Sequence, residues 1–307
     1  MLYLYAPQDA EQLAPLLRQA LPNIDLAVWP QQVDDTAVRY AVVWNPPEGF
    51  FTRFSRLEAV FALGAGVDRL LARADLPATL PVIRLTDAGM AQQMAEYALY
   101  GVLRYQRQFD VYQRQQAERR WQPQPPRLAH EIRVSVLGLG AIGAVVATTL
   151  AGLGYTVSGW SRSPRELPGV ACRHGSAALD TLLAETDVLV GVLPSTPETR
   201  GLLDRDRLVR LPHGAALINA GRGDQLDQAA LLDLLDAGQL RFAQLDVFAS
   251  EPLAAEHPLW VHPSVTVTPH IAAITLPGPA AQQIAANLRA LRSGTAPEGL
   301  VDRRRTY

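Results

Sequence analysis

Ile132-Arg133-Val134-Ser135-Val136-Leu137, followed at once by Gly138-Leu139-Gly140-Ala141-Ile142-Gly143, is the stretch on which the fold turns. A short apolar-rich run ending on glycine reads as a buried strand, and the residues after it read as the start of a helix. In that setting Gly-x-Gly-x-x-Gly is a phosphate-binding turn. Gly138 allows the tight reversal, Gly140 lets the backbone approach a pyrophosphate, and Gly143 lets the helix pack closely on the strand. The N–H groups of Ala141 and Ile142 and the helix dipole would hold the negative charge.

The pattern continues in both directions. Downstream, the reading expects a helix over residues 141–153, strands over 155–160, 187–193, 215–219, 242–245 and 265–267, a helix over 226–237 and a last helix over 279–292. Upstream, it expects apolar runs at 2–5, 24–29, 40–44, 59–63 and 82–85, alternating with helical segments over 11–21 and from near Val67. Such βα alternation predicts an α/β protein with doubly wound parallel sheets. Met94, Ala98, Val102, Tyr105, Phe109 and Tyr112 recur at steps of three or four, which predicts one long amphipathic helix over 90–120. The proline-rich residues 122–126 then read as a linker.

The chain has 307 residues, enough for two domains with their own cores. Its formal charge of -2 gives no global attraction to phosphate backbones or anionic lipid, so no nucleic-acid or membrane partner is expected. Small molecules are the expected ligands. All 28 basic residues are arginine, which excludes Schiff-base chemistry and a lysine-dependent P-loop. A single cysteine, Cys172, permits no internal disulfide, and residues 1–10 show no basic region followed by an apolar run, so a cytoplasmic location is expected. His130, His174, His213, His257 and His262 have no metal-ligand spacing and read as surface or capping residues; no metal site is expected.

The end of the second strand of the βα series, Trp160-Ser161-Arg162-Ser163, is where an acidic residue would bind the ribose 2′-hydroxyl of NAD. No carboxylate stands there to repel a 2′-phosphate. Arg162 instead offers a bidentate donor and the serines offer hydroxyls, which predicts NADP in preference to NAD. Three further motifs follow: Leu217-Ile218-Asn219-Ala220-Gly221-Arg222-Gly223, then Leu245-Asp246-Val247-Phe248 with Glu251-Pro252, then Thr268-Pro269-His270-Ile271-Ala272. Each puts an ionisable residue just past the carboxyl end of a strand, so Arg222, Glu251 and His270 are expected to converge.

With these motifs, with Phe61-Ala62-Leu63-Gly64-Ala65-Gly66-Val67-Asp68 and with Gly299-Leu300-Val301-Asp302-Arg303, the chain resembles the D-isomer-specific 2-hydroxyacid dehydrogenases, in particular the bacterial reductases of glyoxylate and hydroxypyruvate. The resemblance implies a discontinuous flavodoxin-like substrate domain over 1–97 and 279–307. It implies an NADP-binding Rossmann domain over 98–278 that includes the long helix, an active site in the cleft between the two, and a homodimer formed through that helix. It also implies a substrate pocket at Gly64, Ala65 and Gly66 with Trp44 as a wall, and cofactor contacts at Leu193, Pro194, Ala220, Gly221 and Ala272. Asp246 is carried over as a partner of the nicotinamide carboxamide, with a structural hydrogen bond as the competing account. Trp160 departs from the aspartate of many relatives, and Ala272-Ala273 from a commoner Gly-Ser pair.

The chemistry expected at these residues follows from the reaction. Hydride delivery to the carbonyl carbon of a 2-oxo acid builds negative charge on its oxygen, and histidine is the side chain that ordinarily exchanges protons near neutrality. His270 is assigned as the acid in reduction and the base in oxidation. Glu251, on the other ring nitrogen, would fix the tautomer and favour the charged ring, and Arg222 would grip the substrate carboxylate or carbonyl oxygen. Two other readings stay open: a related dehydrogenase for a different 2-oxo acid, and a dinucleotide-sensing corepressor on the same scaffold. An esterase is the weaker reading, since no Gly-x-Ser-x-Gly elbow occurs.

Overall fold

The computed structural model describes residues 1–304; Arg305, the last of the three consecutive arginines near the C-terminus, lies outside the described residues. In chain order, β1 (Leu2–Tyr5), α1 (Ala10–Ala20), β2 (Leu26–Val28), β3 (Tyr40–Val43), β4 (Ala59–Ala62), the single-turn α2 (Asp68–Leu71) and β5 (Val82–Arg84) come first. They are followed by α3 (Met90–Gln106), α4 (Phe109–Ala117), β6 (Arg133–Leu137), α5 (Ala141–Gly152), β7 (Thr156–Ser161), β8 (Val170–His174), α6 (Ser176–Ala184) and β9 (Val188–Gly191). The chain closes with α7 (Arg205–Leu208), β10 (Ala215–Asn219), α8 (Gln228–Asp236), β11 (Leu240–Leu245), β12 (Val265–Val267) and α9 (Pro277–Arg292). Two compact units result, one of residues 1–90 with 274 onward, the other of residues 91–273.

The first unit holds a sheet ordered β2-β1-β3-β4-β5, every neighbouring pair parallel. This is the doubly wound order whose direction reverses between β1 and β3. β4 is fully buried, which explains its unbroken apolar sequence Ala-Val-Phe-Ala. Helices α1 and α9, from opposite ends of the chain, pack together in this unit.

In the second unit the order is β12-β11-β10-β9-β6-β7-β8, again parallel throughout. The reversal falls between β6 and β9, as in a dinucleotide-binding sheet. Side-chain alternation divides its core in two. Leu189, Leu217 and Leu245 face one cluster, while Val188, Val190, Ala216 and Ile218 face the other, where Met94, Ala95, Ala98 and Val102 of α3 pack. Each buried strand thus serves both faces. No helix among the described residues is long and apolar enough to cross a membrane.

Three differences separate the structure from the sequence-based expectation, and the first two have physical causes. The helix expected over 90–120 breaks between α3 and α4, where Gln108 adopts a left-handed backbone at φ 57°. The first turn of α4 is anchored elsewhere: Asp110, buried, accepts from Arg241 of β11 at 2.8 and 2.5 Å, a contact 131 residues away in sequence. Edge strand β8 was not foreseen, because Val-Ala-Cys-Arg-His is mostly half-buried and shows no apolar run. Helix α6 beyond it, with Leu179, Leu182 and Leu183 buried, was not foreseen either.

Removing one partner of a buried ion pair leaves the other charge uncompensated. Asp110→Ala is therefore expected to lower unfolding stability by about 3–5 kcal/mol. Urea denaturation checks this, and a loss below about 1 kcal/mol, the range of exposed pairs, would show that the contact does not anchor α4.

Candidate active site

The phosphate-binding turn lies at the reversal point of the seven-stranded sheet. β6 ends at buried Leu137, and Gly138 turns the chain with φ 105°, its N–H donating to the Trp160 carbonyl at 2.8 Å. A Cβ on Gly143 would collide with the Gly138 carbonyl oxygen, so only glycine lets α5 start this close to the turn. Gly140 is the opposite case. Nothing lies within 4 Å of where its Cβ would stand, and it is exposed together with Ala141 at the N-terminus of α5, with Ile142 half-buried behind them. This open, donor-rich helix start fits a bound pyrophosphate.

Trp160, at the end of β7, is buried among leucines of the core and donates its indole N–H to the Gly175 carbonyl at 2.8 Å. Ser161 donates its hydroxyl to the Ser163 carbonyl at 2.8 Å, which shapes a turn on which Arg162 and Ser163 are exposed. The loop after β9 faces the same edge. Gln225 donates to the carbonyls of both Leu193 and Pro194 at 2.9 Å, and Ser195 donates to Asp224 at 2.5 Å. Gly138 and the Val192 carbonyl are neighbours, so the β6 and β9 loops close on one another.

Beyond β10, Ala220 is buried and the Gly221 N–H donates to the Asn219 side chain at 3.3 Å. Asn219 also donates to the Arg222 carbonyl at 3.2 Å, and Arg222 itself donates to the Gly221 carbonyl at 2.8 Å. Next in the chain, Gly223 lies against the backbone of Phe248, where any Cβ would overlap it. The arginine loop is therefore seated on the segment that carries Glu251. Glu251 Oε1 accepts from the Phe248 N–H at 3.1 Å, and Oε2 lies 3.0 Å from Nδ1 of His270. A carboxylate only accepts, so this contact puts a proton on Nδ1 and leaves Nε2 for exchange. The His270 side chain is 45% exposed, as a group that must meet a substrate requires.

His270 is also one of few non-glycine residues with a left-handed backbone, at φ 58°. Such a conformation costs about 1–2 kcal/mol and persists only where neighbours hold it. Asp246, 1% exposed, does so. Its Oδ1 accepts from the Thr268 hydroxyl at 2.6 Å and the Ile271 N–H at 2.8 Å, and its Oδ2 from the Ala272 N–H at 2.8 Å. Its main-chain carbonyl accepts from the His270 N–H at 2.9 Å.

The five-stranded sheet has a carboxyl edge of its own. Trp44 follows β3 at that sheet's reversal point, its N–H donating to the Tyr5 carbonyl at 2.8 Å. The indole lies against Gly64, whose Cβ would stand 2.8 Å from Cζ3, and is 42% exposed, so it is not a core aromatic. Gly64 is buried, Ala65 half-buried and Gly66 exposed, ahead of the single turn α2. Arg73, which the sequence did not single out, holds this edge by donating to the carbonyls of Pro46 and Pro47 at 2.8 and 2.7 Å and to Asp75 at 2.8 Å. Thr268 was legible only as the first residue of the histidine motif, and Tyr97, whose hydroxyl oxygen lies 2.8 Å from that of Thr268, carried no signal at all.

A model of the D-isomer-specific 2-hydroxyacid dehydrogenase NAD-binding domain matches residues 99–272. A glyoxylate/hydroxypyruvate reductase A from Serratia proteamaculans is 46% identical over 299 residues, covering 96% of this chain and 95% of the relative. Among solved structures, a D-isomer-specific 2-hydroxyacid dehydrogenase from Xanthobacter autotrophicus Py2, in complex with NADPH and MES, aligns with a TM-score of 0.96 at 46% identity over 100% of this chain and 99% of its own. An NADPH-dependent glyoxylate/hydroxypyruvate reductase from Sinorhizobium meliloti, in complex with NADP and sulfate, aligns with a TM-score of 0.92 at 33% identity over 100% and 99%.

The Arg73 guanidinium, followed by the Phe51 N–H, holds the Asp75 carboxyl below the ordinary aspartate range. A carboxyl lowered in the folded state adds stability that is complete above its unfolded value, about pH 4, and is lost as pH falls through the folded value. The thermal midpoint of the native chain should therefore fall more steeply below about pH 4 than that of Asp75→Asn. Parallel acid profiles of the two proteins would show that the pair contributes nothing to this edge.

Proposed function

The chain belongs to the D-isomer-specific 2-hydroxyacid dehydrogenase family, and from that premise we propose that it reduces small 2-oxo acids, glyoxylate and hydroxypyruvate above all, to 2-hydroxy acids with NADPH. The observation that carries this reading is the 3.0 Å pairing of His270 Nδ1 with Glu251, on a loop held by Asp246 at the carboxyl edge of a dinucleotide-binding sheet. When bound, the reduced nicotinamide supplies a hydride to the carbonyl carbon. His270 gives a proton from Nε2 to the carbonyl oxygen and takes it back in the reverse direction. Glu251 fixes the ring and balances the charge that comes and goes on it. Arg222 holds the substrate carboxylate or the carbonyl oxygen, where a guanidinium offsets negative charge.

Gly138, Gly140, Ala141, Ile142 and Gly143 would hold the pyrophosphate, and Leu193, Pro194, Ala220, Gly221 and Ala272 would border the rest of the dinucleotide. Arg162, with Ser161 and Ser163, would take the 2′-phosphate, which the exposed turn after buried Trp160 supports. Asp246 would serve chiefly the histidine loop, because both of its oxygens accept hydrogen bonds there. The wall formed by Trp44 and the Gly64–Ala65–Gly66 backbone would receive the substrate, a reading supported by its place at a reversal point. The same proposal places the enzyme in the cytoplasm as a homodimer. Exposed Tyr100, Leu103, Phe109 and Tyr112 on α3 and α4 support the dimer.

His270→Asn should retain NADPH binding, read by fluorescence titration, while turnover on glyoxylate falls about 100-fold to 10000-fold. A near-normal rate would remove His270 from the chemistry. NADPH should exceed NADH in kcat/KM by about 10-fold or more, and Arg162→Ala should erase most of that margin, as one or two charge-assisted hydrogen bonds are worth. Equal efficiency of the two cofactors in the native enzyme would defeat the assignment.

A further inference from the structure

We propose that Tyr97 and Thr268 are positioning residues for His270, a chain of hydroxyls that ties the histidine loop to helix α3. The inference rests on His270 being the group that exchanges the proton. Tyr97 and Thr268 lie 171 residues apart in sequence, and their oxygens are 2.8 Å apart. The direction of the chain follows from its end. Buried Asp246 only accepts as a carboxylate, so the single Thr268 proton goes to Oδ1 at 2.6 Å, and the contact with Tyr97 must be made by the tyrosine's proton. Burial supports that role, holding the Tyr97 phenol protonated by pushing its pKa up to about 12.

The anchor at the other end is firm. Gln244 of β11 donates to the Tyr97 carbonyl at 3.1 Å, and Arg104, two turns further along α3, donates to Thr266 of β12 at 2.7 Å. Ala98 and Val102 on the same helix are packed in the core beneath. Thr266 and Thr268, two residues apart, thus both bond to α3. Besides this tie, the loop of residues 268–272 is held from the β11 side, by the Thr268 N–H on the Leu245 carbonyl and by the bonds to Asp246, and the hydroxyls help to fix where the Asp246 carboxylate itself sits. The left-handed backbone at His270 depends on that carboxylate staying in place, and a shift of about 1 Å in a reacting group can cost roughly 100-fold in rate. Neither hydroxyl touches the ring of His270. Their effect reaches it through Asp246, which accepts from the successive N–H groups of Ile271 and Ala272.

The test uses the full-length enzyme with NADPH and glyoxylate. Thr268→Val should lower kcat about 10-fold, with KM for glyoxylate and NADPH affinity within about twofold of native, because the chemistry and not the binding surfaces is disturbed. Thr268→Ser keeps the hydroxyl and should restore kcat to within about twofold. Tyr97→Phe should lower kcat by about 3-fold to 10-fold, and the double variant should be no slower than Thr268→Val alone, since both break one chain. Native kcat in Thr268→Val, no rescue by serine, or losses that multiply in the double variant would each overturn the proposal. Should valine prevent folding, Tyr97→Phe and Thr268→Ser decide it: slow and normal turnover respectively support it, and any other pair of results overturns it. His270→Asn is run beside them. If it alone is slow, the hydroxyl chain is wrong and the histidine assignment stands; if it turns over normally, the histidine assignment is what failed.

Discussion

A carboxylate with almost no access to water organises the carboxyl edge of the larger sheet. Asp246 sits at the end of β11, and an ionised carboxylate in such a place costs several kcal/mol in lost hydration unless donors surround it. The donors come from one short segment, residues 268–272, so the need of the charge and the shape of the segment satisfy each other. His270 keeps its unfavourable backbone because the alternative would strip hydrogen bonds from a buried anion. Placement of the imidazole, its contact with Glu251 and the exposure of its outer face all follow from that coupling.

Both units put their distinctive residues in the same kind of place, beyond the carboxyl ends of parallel strands and where the strand order reverses. There the loops diverge to opposite faces of the sheet and leave backbone groups unpaired by the ladder. In the second unit this is where Gly138 and Val192 meet; in the first it is where the Trp44 N–H reaches the Tyr5 carbonyl. Core packing follows the sheet's two-residue alternation closely enough that leucines dominate one face of the larger sheet and valines and alanines the other.

What the sequence made legible, and what it did not, divides by the range of the interactions. The turn at Gly138, Gly140 and Gly143 is local, since three glycines at fixed spacing between a strand and a helix point to one kind of turn, and buried strands such as β9 and β10 announce themselves as apolar runs. His270 with Glu251 was foreseen because each follows a readable strand, and the fold brings those strand ends together. The break at Gln108 was not, because an amide residue at a left-handed position carries no composition signal, and the ion pair that fixes α4 joins residues far apart in sequence. Strand β8 escaped for a different reason: an edge strand needs no continuous apolar face. For Trp44 the sequence carries no burial signal, and it is the exposure of its ring, packed on Gly64, that sets it apart from a core aromatic. Tyr97 was invisible in principle, since a tyrosine on the packed side of a helix looks like any other core aromatic until its hydroxyl finds Thr268.

The seat of Gly223 on the Phe248 main chain has a consequence for how such a protein can diverge. Because the two loops touch atom to atom with no side chain between them, the guanidinium and the carboxylate–imidazole pair cannot be retuned separately by small replacements at that seam; a change there disturbs all three. Descent would then carry the three side chains as one inherited block, with variation confined to positions that do not press on that seam.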